Sequence, residues 1–284
     1  MNQNIICYVL GRLVLAEAVI LGIPFLMALY SWERSAPAFA VSICICVLMG
    51  LALRVHGRSG NEQLTMREGA AIPGLGWLLA TFLGMLPYLL SGSLGFLDGL
   101  FESISGFTGT GATVMTSIES QPFSILFWRM MTHWFGGLGI IVIFIALLPQ
   151  AGQSTIYMYN AETTGPTRDR VLPRLREMTR SLFLMYMVFT MTACVIYLCC
   201  GLTFLDAIAH AMSTLGTGGF SLYDDNAMHF DNPALEGWMT FFMILAGGNF
   251  GLYYRVWKKG PRVLQNNTEF RAYLVLLVAA MLLI

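Results

Sequence analysis

The chain has 284 residues, of which 56% are hydrophobic and only 11% charged, with a mean hydropathy of +0.67. A soluble domain carries about 25% charged residues, and the equal totals of 16 basic and 16 acidic side chains leave no excess charge for a polyanion. A soluble enzyme and a nucleic-acid binder are therefore excluded, and an integral membrane protein remains.

A helix that crosses a bilayer needs about 20 mostly apolar residues. Along the chain that length is met at Ile5–Tyr30, Ala36–Leu53, Ile72–Leu90, Phe123–Leu148, Ser181–Gly201 and Leu235–Tyr254. A seventh run, Ala272–Ile284, is 13 residues long and too short to cross, so the sequence reads as the N-terminal part of something longer. The six cysteines (Cys7, Cys44, Cys46, Cys194, Cys199, Cys200) lie in or beside apolar runs without metal-ligand spacing, and read as small apolar residues in lipid.

Basic residues orient the spans. A cytoplasmic N-terminus puts 14 of the 16 inside, including Arg12, Arg54, the stretch Arg168–Arg180 and the group Arg255–Arg262, and leaves Arg34 and Arg129 outside. The outer side then collects acid: Glu33, Asp98, Glu102, Glu119, Asp206, Asp224, Asp225, Asp231 and Glu236. Such a rim of carboxylates raises the local concentration of cations.

Two segments between spans repeat each other. Phe96–Gly111 (FLDGLFESISGFTGTG) and Phe204–Gly218 (FLDAIAHAMSTLGTG) share the opening Phe-Leu-Asp and the closing Gly-Thr-Gly. Each follows one span and precedes another that carries an aromatic block around Trp128 or Trp238 and a Gly-Gly pair, Gly136-Gly137 or Gly247-Gly248. Internal repetition of this kind is the most informative feature a membrane sequence can show, and each Gly-Thr-Gly reads either as a simple re-entrant turn or close helix contact, or as an ion-binding loop. Asp98 and Asp206 suit helix N-caps, and about ten further residues at 1.5 Å each make a helix of about 15 Å, half the hydrocarbon thickness. The chain must then return, and non-helical backbone at that depth survives only in a protein interior or a water-filled cavity. Thr108, Gly109, Thr110 and Gly111 form the first return, and Thr214, Leu215, Gly216, Thr217 and Gly218 the second. Glycine permits the left-handed backbone that turns carbonyls to one side, and carbonyls in a ring replace the hydration shell of a potassium ion.

These runs, with the span WRMMTHWFGGLGIIVIFIALLP and the loop AETTGPTRDRVLPRLREMTR, resemble the Trk/Ktr/HKT superfamily of potassium transporters, closest to its bacterial TrkH-type membrane subunits. The resemblance implies an all-α membrane fold of span–pore-helix–span repeats, preceded by an extra two-helix hairpin. It divides the chain into a hairpin (1–68), a first repeat (69–150), a basic cytoplasmic loop (151–180), a second repeat (181–260) and the start of a truncated third (261–284). It also implies potassium uptake across a bacterial inner membrane, with filter glycines at Gly111 and Gly218, no cofactor, and K+ as the transported ion. The family pore has four repeats, so the resemblance further implies missing repeats or a second chain that supplies them. The implied partners are a homodimer mate and a cytosolic nucleotide-binding, TrkA-like gating subunit; the basic stretch Arg168–Arg180 reads as an ordinary positive-inside loop, as a dock for an anionic lipid surface, or as the dock of that subunit.

The remaining ionisable residues admit two readings each. Glu17, inside the first span, is a functional candidate by position and by resemblance a structural residue bonded to a neighbouring helix. His210 on the second short helix and His133 beside Trp134 could serve an intramembrane enzyme, or pack without chemistry. Arg129 could hold Glu102 or a helix carbonyl, or touch ions. A non-conducting family member acting as an assembly or regulatory partner is the alternative function.

Overall fold

The computed structural model describes residues 2–57, 66–147, 171–265 and 267–283. Its helices are α1 (Gln3–Tyr30), α2 (Ala36–His56), α3 (Met66–Gly84), α4 (Leu86–Leu90), α5 (Phe96–Thr108), α6 (Phe123–Leu147), α7 (Val171–Cys199), α8 (Phe204–Leu215), α9 (Pro233–Ala246), α10 (Phe250–Lys259), α11 (Arg262–Gln265) and α12 (Thr268–Leu283). A 3-10 turn, Asn226–Phe230, precedes α9. Among the described residues, Gln3–Tyr30, Ala36–His56, Ala71–Leu90 and Arg180–Cys199 are long and apolar enough to cross a membrane. Large apolar side chains on them point outward, such as Val19, Leu26, Leu48 and Leu184, as suits a lipid-facing surface.

Helices α1 and α2 form an antiparallel hairpin joined by a short turn. Their backbones come close because small residues face each other: a Cβ at Gly11 would lie 2.7 Å from the Gly50 carbonyl oxygen. The hairpin leans on α3 and α6 through Val14, Ala18 and Leu21, in one core with Phe107, Trp128 and Met131. Trp128 Nε1 donates to the Gly84 carbonyl at 2.9 Å, which fixes α6 against the end of α3. A second core joins α7, α8 and α9 through Tyr197, Ala211, Leu215 and Phe242.

Besides a one-residue interruption at Met85 between α3 and α4, the chain departs from the expected spans in two places. The span read as Leu235–Tyr254 is not one helix: α9 ends at Ala246, and α10 starts at Phe250. The Asn249 side chain accepts from Gly251 N at 2.9 Å and caps the new helix. Two tyrosine hydroxyls take up carbonyls that the break frees, Tyr253 at Leu245 (2.8 Å) and Tyr273 at Ile244 (2.9 Å). The second departure is the start of α7 at Val171, inside the segment read as the basic loop. The rest of that loop, with Arg168 and Arg170, lies outside the described residues, as does Arg58.

Candidate functional site

The two short helices are built alike and capped differently. Helix α5 begins after Gly95, and α8 after Thr203, whose Oγ1 accepts from Asp206 N at 3.3 Å and donates to the Asp206 carboxylate at 2.7 Å. Asp98 and Asp206 are thus not the N-caps expected; each is the third residue of its helix. There a carboxylate still favours the positive end of the helix dipole, and Thr203 and Asp206 satisfy each other as a capping box does. The helices run 13 and 12 residues, about 20 Å at 1.5 Å per residue.

Both helices end in loops of the same conformation. In the first, Gly109 N donates to Gly106 O (3.1 Å) and Thr110 N to Ser105 O (3.0 Å); in the second, Thr217 N donates to Thr214 O (3.0 Å) and Gly218 N to Ser213 O (3.2 Å). The backbone is left-handed at Gly109 (φ 69°) and Gly111 (φ 74°), and at Thr217 (φ 56°) and Gly219 (φ 77°). Gly109 therefore corresponds to Thr217, Thr110 to Gly218, and Gly111 to Gly219. Matching the Gly-Thr-Gly tripeptides pairs Gly111 with Gly218 and slips by one residue. The matching helix starts, Phe96 and Phe204, carry the true register without a gap. Thr217 holds a conformation that costs a non-glycine residue about 1–2 kcal/mol.

The loops lie side by side. A Cβ at Gly109 would come within 3.0 Å of the Gly216 carbonyl oxygen, and one at Gly111 would collide with the Gly218 carbonyl. The two backbones thus meet at two levels, with carbonyl oxygens of the second loop against glycines of the first. Behind them α6 closes in. A Cβ at Gly136 would collide with the Phe107 carbonyl, and one at Gly137 would stand 3.2 Å from Gly216 Cα. Side chains brace the loops from the helix side: Ser105 Oγ donates to the Ala112 carbonyl, and the Thr108 and Thr110 hydroxyls pair at 2.7 Å.

The histidines pack. The His133 ring stacks on Phe220 with centroids 3.9 Å apart, lies 3.2 Å through Nδ1 from Ser213 Oγ, and fills the space where a Gly218 side chain would go. His210 bridges the Asp206 carbonyl (2.8 Å) and Ser221 Oγ (3.0 Å). Both rings sit in buried walls behind the second loop. Glu17 is 6% exposed and lines a cavity of about 100 Å³ with Leu13, Trp77, Phe107 and Trp128. Its Oε1 has no hydrogen-bond partner, so the bond expected to a neighbouring helix is not made by that atom. Arg129, placed on the outer face by the sequence, is 1% exposed and pairs with Glu102. Glu102 likewise leaves the acidic rim for the interior, at 0% exposure.

The other outer acids knit the loops together. Asp224 accepts from Ile118 N at 2.6 Å, and Glu119 from Asp224 N at 3.3 Å. Tyr223 donates to Asp206 at 3.2 Å. Burial first, then the Asp206 charge, push the Tyr223 phenol above its ordinary pKa, so it remains a donor. Among the described residues, no cluster of His, Cys, Asp and Glu could hold a metal ion. Sequence reasoning missed Gly219 and the depth of Glu102. Keeping the helix starts in register finds the first; nothing local in sequence signals the second.

The sequence model of the family described as TrkH, cation transport protein, matches residues 35–282. The Trk system potassium uptake protein TrkH of Salmonella typhimurium is 34% identical over 278 residues, covering 96% of this chain and 58% of that protein. That of Halomonas elongata is 32% identical, covering 100% and 60%. The crystal structure of the potassium transporter TrkH from Vibrio parahaemolyticus superposes with a TM-score of 0.84 at 29% identity, covering 100% of this chain and 58% of the other. The chain spans somewhat over half the length of the curated relatives it matches.

Proposed function

This chain belongs to the TrkH family of cation transport proteins, transporters and not enzymes, and on that premise we propose that it supplies two of the filter loops of a potassium-uptake pore in a bacterial inner membrane. The observation that carries this reading is the pair of loops in one conformation, touching backbone to backbone at two levels. The proposed filter comprises Thr108–Gly111 and Gly216–Gly219, with Thr214 and Leu215 as the helix end that leads into the second loop. Carbonyls there take the place of water around a dehydrated cation. Helices α5 and α8 stop at these loops, so the negative ends of both dipoles, each about half an elementary charge, face the ion. No bond is made or broken; the protein's work is to hold oxygens at a spacing that water would otherwise supply.

Two loops form half of a four-sided ring. The other half comes from two further repeats, on the same polypeptide or another, and the hairpin 1–68 stands outside the pore. The N-terminus and residues 151–180 face the cytoplasm, where the basic loop meets a gating subunit of the Trk system. A homodimer is the proposed assembly.

Potassium uptake in a strain lacking its own uptake systems tests the reading. Residues 1–284 expressed alone are expected to give no uptake, and co-expression of a polypeptide with two further pore-loop repeats is expected to restore it. Growth at low potassium on the 284 residues alone would show that two copies can close the ring. Failure of every combination to conduct would favour a non-conducting assembly partner.

A further inference from the structure

We propose that the buried ion pair Glu102–Arg129 is the positioning device that holds the two filter loops in register, and that potassium selectivity depends on it. This rests on the pore reading above and adds to it residues that line neither loop. Glu102 projects from α5 and Arg129 from α6, at 0% and 1% exposure. The Glu102 carboxylate accepts from Thr113 Oγ1 (2.9 and 3.1 Å) and from Val114 N (3.1 Å), the segment that leaves the first loop. Arg129 Nε donates to Glu102 Oε1, while Nη1 donates to the Ser221 carbonyl at 2.9 Å, in the segment that leaves the second loop. The guanidinium also lies 3.5 Å over the centre of the Phe220 ring, the residue next to Gly219. One pair therefore grips the exits of both loops.

Among the described residues, the second repeat has no ion pair in the equivalent place. His210 occupies in α8 the place of Glu102 in α5, and its two bonds, to the Asp206 carbonyl and Ser221 Oγ, stay within its own repeat. The pair is thus supplied by the first repeat, and Asp224 of the second repeat adds a bridge further out, where its carboxylate accepts from Ile118 N at 2.6 Å. The chemistry suits the task. Arginine presents a rigid planar fork that reaches a carboxylate and a carbonyl at once and stacks on an aromatic face; a lysine ammonium does not. A buried pair is weak evidence for stability, because desolvation offsets much of the attraction. It is directional, however, and its charges cancel, so it sets geometry without placing a net positive charge beside the ion path.

The test uses the complete pore, reconstituted in liposomes, with potassium and sodium fluxes measured separately and thermal midpoints recorded in detergent. The variants are Glu102→Gln/Arg129→Gln, which removes both charges and leaves neutral amides, and Arg129→Lys, which keeps the charge and loses the fork. Both are expected to lower the potassium-to-sodium flux ratio on the order of tenfold, the scale of a lost charge-assisted hydrogen bond. The midpoint of Arg129→Lys is expected to stay near the wild-type value, which separates positioning from general unfolding. A folded double variant with a wild-type ratio overturns the proposal. If the double variant does not fold, an unchanged ratio in Arg129→Lys overturns it equally. A wild-type pore that does not prefer potassium overturns the pore reading, and this proposal with it.

Discussion

The spans that follow the two short helices carry the same Gly-Gly pair and use it in opposite ways. In α6, Gly136 and Gly137 lie within a continuous helix and make room for their neighbours: Gly136 meets the Phe107 carbonyl, and Gly137 meets the Tyr186 hydroxyl and, at 3.2 Å, Gly216 Cα. In the second repeat, Gly247 and Gly248 end α9, and their neighbours are two tyrosine hydroxyls that bond the carbonyls of Ile244 and Leu245. The residue after the pair decides the outcome. Leu138 continues the apolar helix, whereas Asn249 supplies a side-chain cap and starts another. A dipeptide motif thus fixes neither a close approach nor a break; its neighbours do.

Gly136 is therefore backed by backbone and Gly247 chiefly by a side chain, and substitutions should expose the difference. The largest effect is expected at the filter. A Cβ at Gly111 collides with the Gly218 backbone, which cannot swing away as a side chain can, and the residue is also left-handed. Gly219 shares the left-handed backbone, but a Cβ there meets only Met243 Cε at 3.6 Å. Gly111→Ser should abolish the preference for potassium over sodium in flux assays. Gly219→Ala should weaken that preference while leaving it measurable, since it bears the conformational cost of about 1–2 kcal/mol alone. Equal losses would mean that the loops are not asymmetric as described.

The Gly-Gly pairs come next. Gly136→Ala drives a methyl into backbone and should lower stability by about 1–3 kcal/mol. Gly247→Ala meets chiefly the end of the Tyr273 side chain, at 2.7 Å, with the Met243 carbonyl oxygen at 3.3 Å, and should change stability by about 1 kcal/mol or less, the scale of one displaced hydroxyl bond. Thermal unfolding of the two variants side by side checks the order, and a reversed order would remove the close approach of α6 as a feature that matters. The smallest effect belongs to Asn249→Ala. Loss of a cap costs about 1 kcal/mol or less at an exposed helix end, and pulsed electron resonance between labels on α9 and α10 should report a broader distance distribution. An unaltered distribution would mean that the tyrosine bonds alone maintain the break.

Apolar run length places the hairpin and most of the spans, and the shared Phe-Leu-Asp places the two short helices at Phe96 and Phe204, where they start. The break in α9–α10 escapes that argument because apolar residues continue through Gly247 and Gly248 as they do through Gly136 and Gly137, and only Asn249 differs. Loop register escapes it because matching a conspicuous tripeptide outweighs the quieter match at the helix starts. Glu102 escapes it for a topological reason: the chain returns past its own helix, bringing Thr113 and Val114 back to the carboxylate and turning a residue near the outer surface into a buried one. Arg129 follows Glu102 inward, since burying an ionised carboxylate without a cation beside it is costly.

The central claim is that two adjacent loops present carbonyl oxygens to a dehydrated monovalent cation at two levels. Anomalous scattering from crystals of the complete pore grown in thallium, a potassium mimic, tests it directly. The account predicts peaks on the pore axis level with Gly109 and Gly111 and with their structural counterparts Thr217 and Gly219. Peaks confined to the acidic outer mouth, with none at the level of these loops, would contradict it.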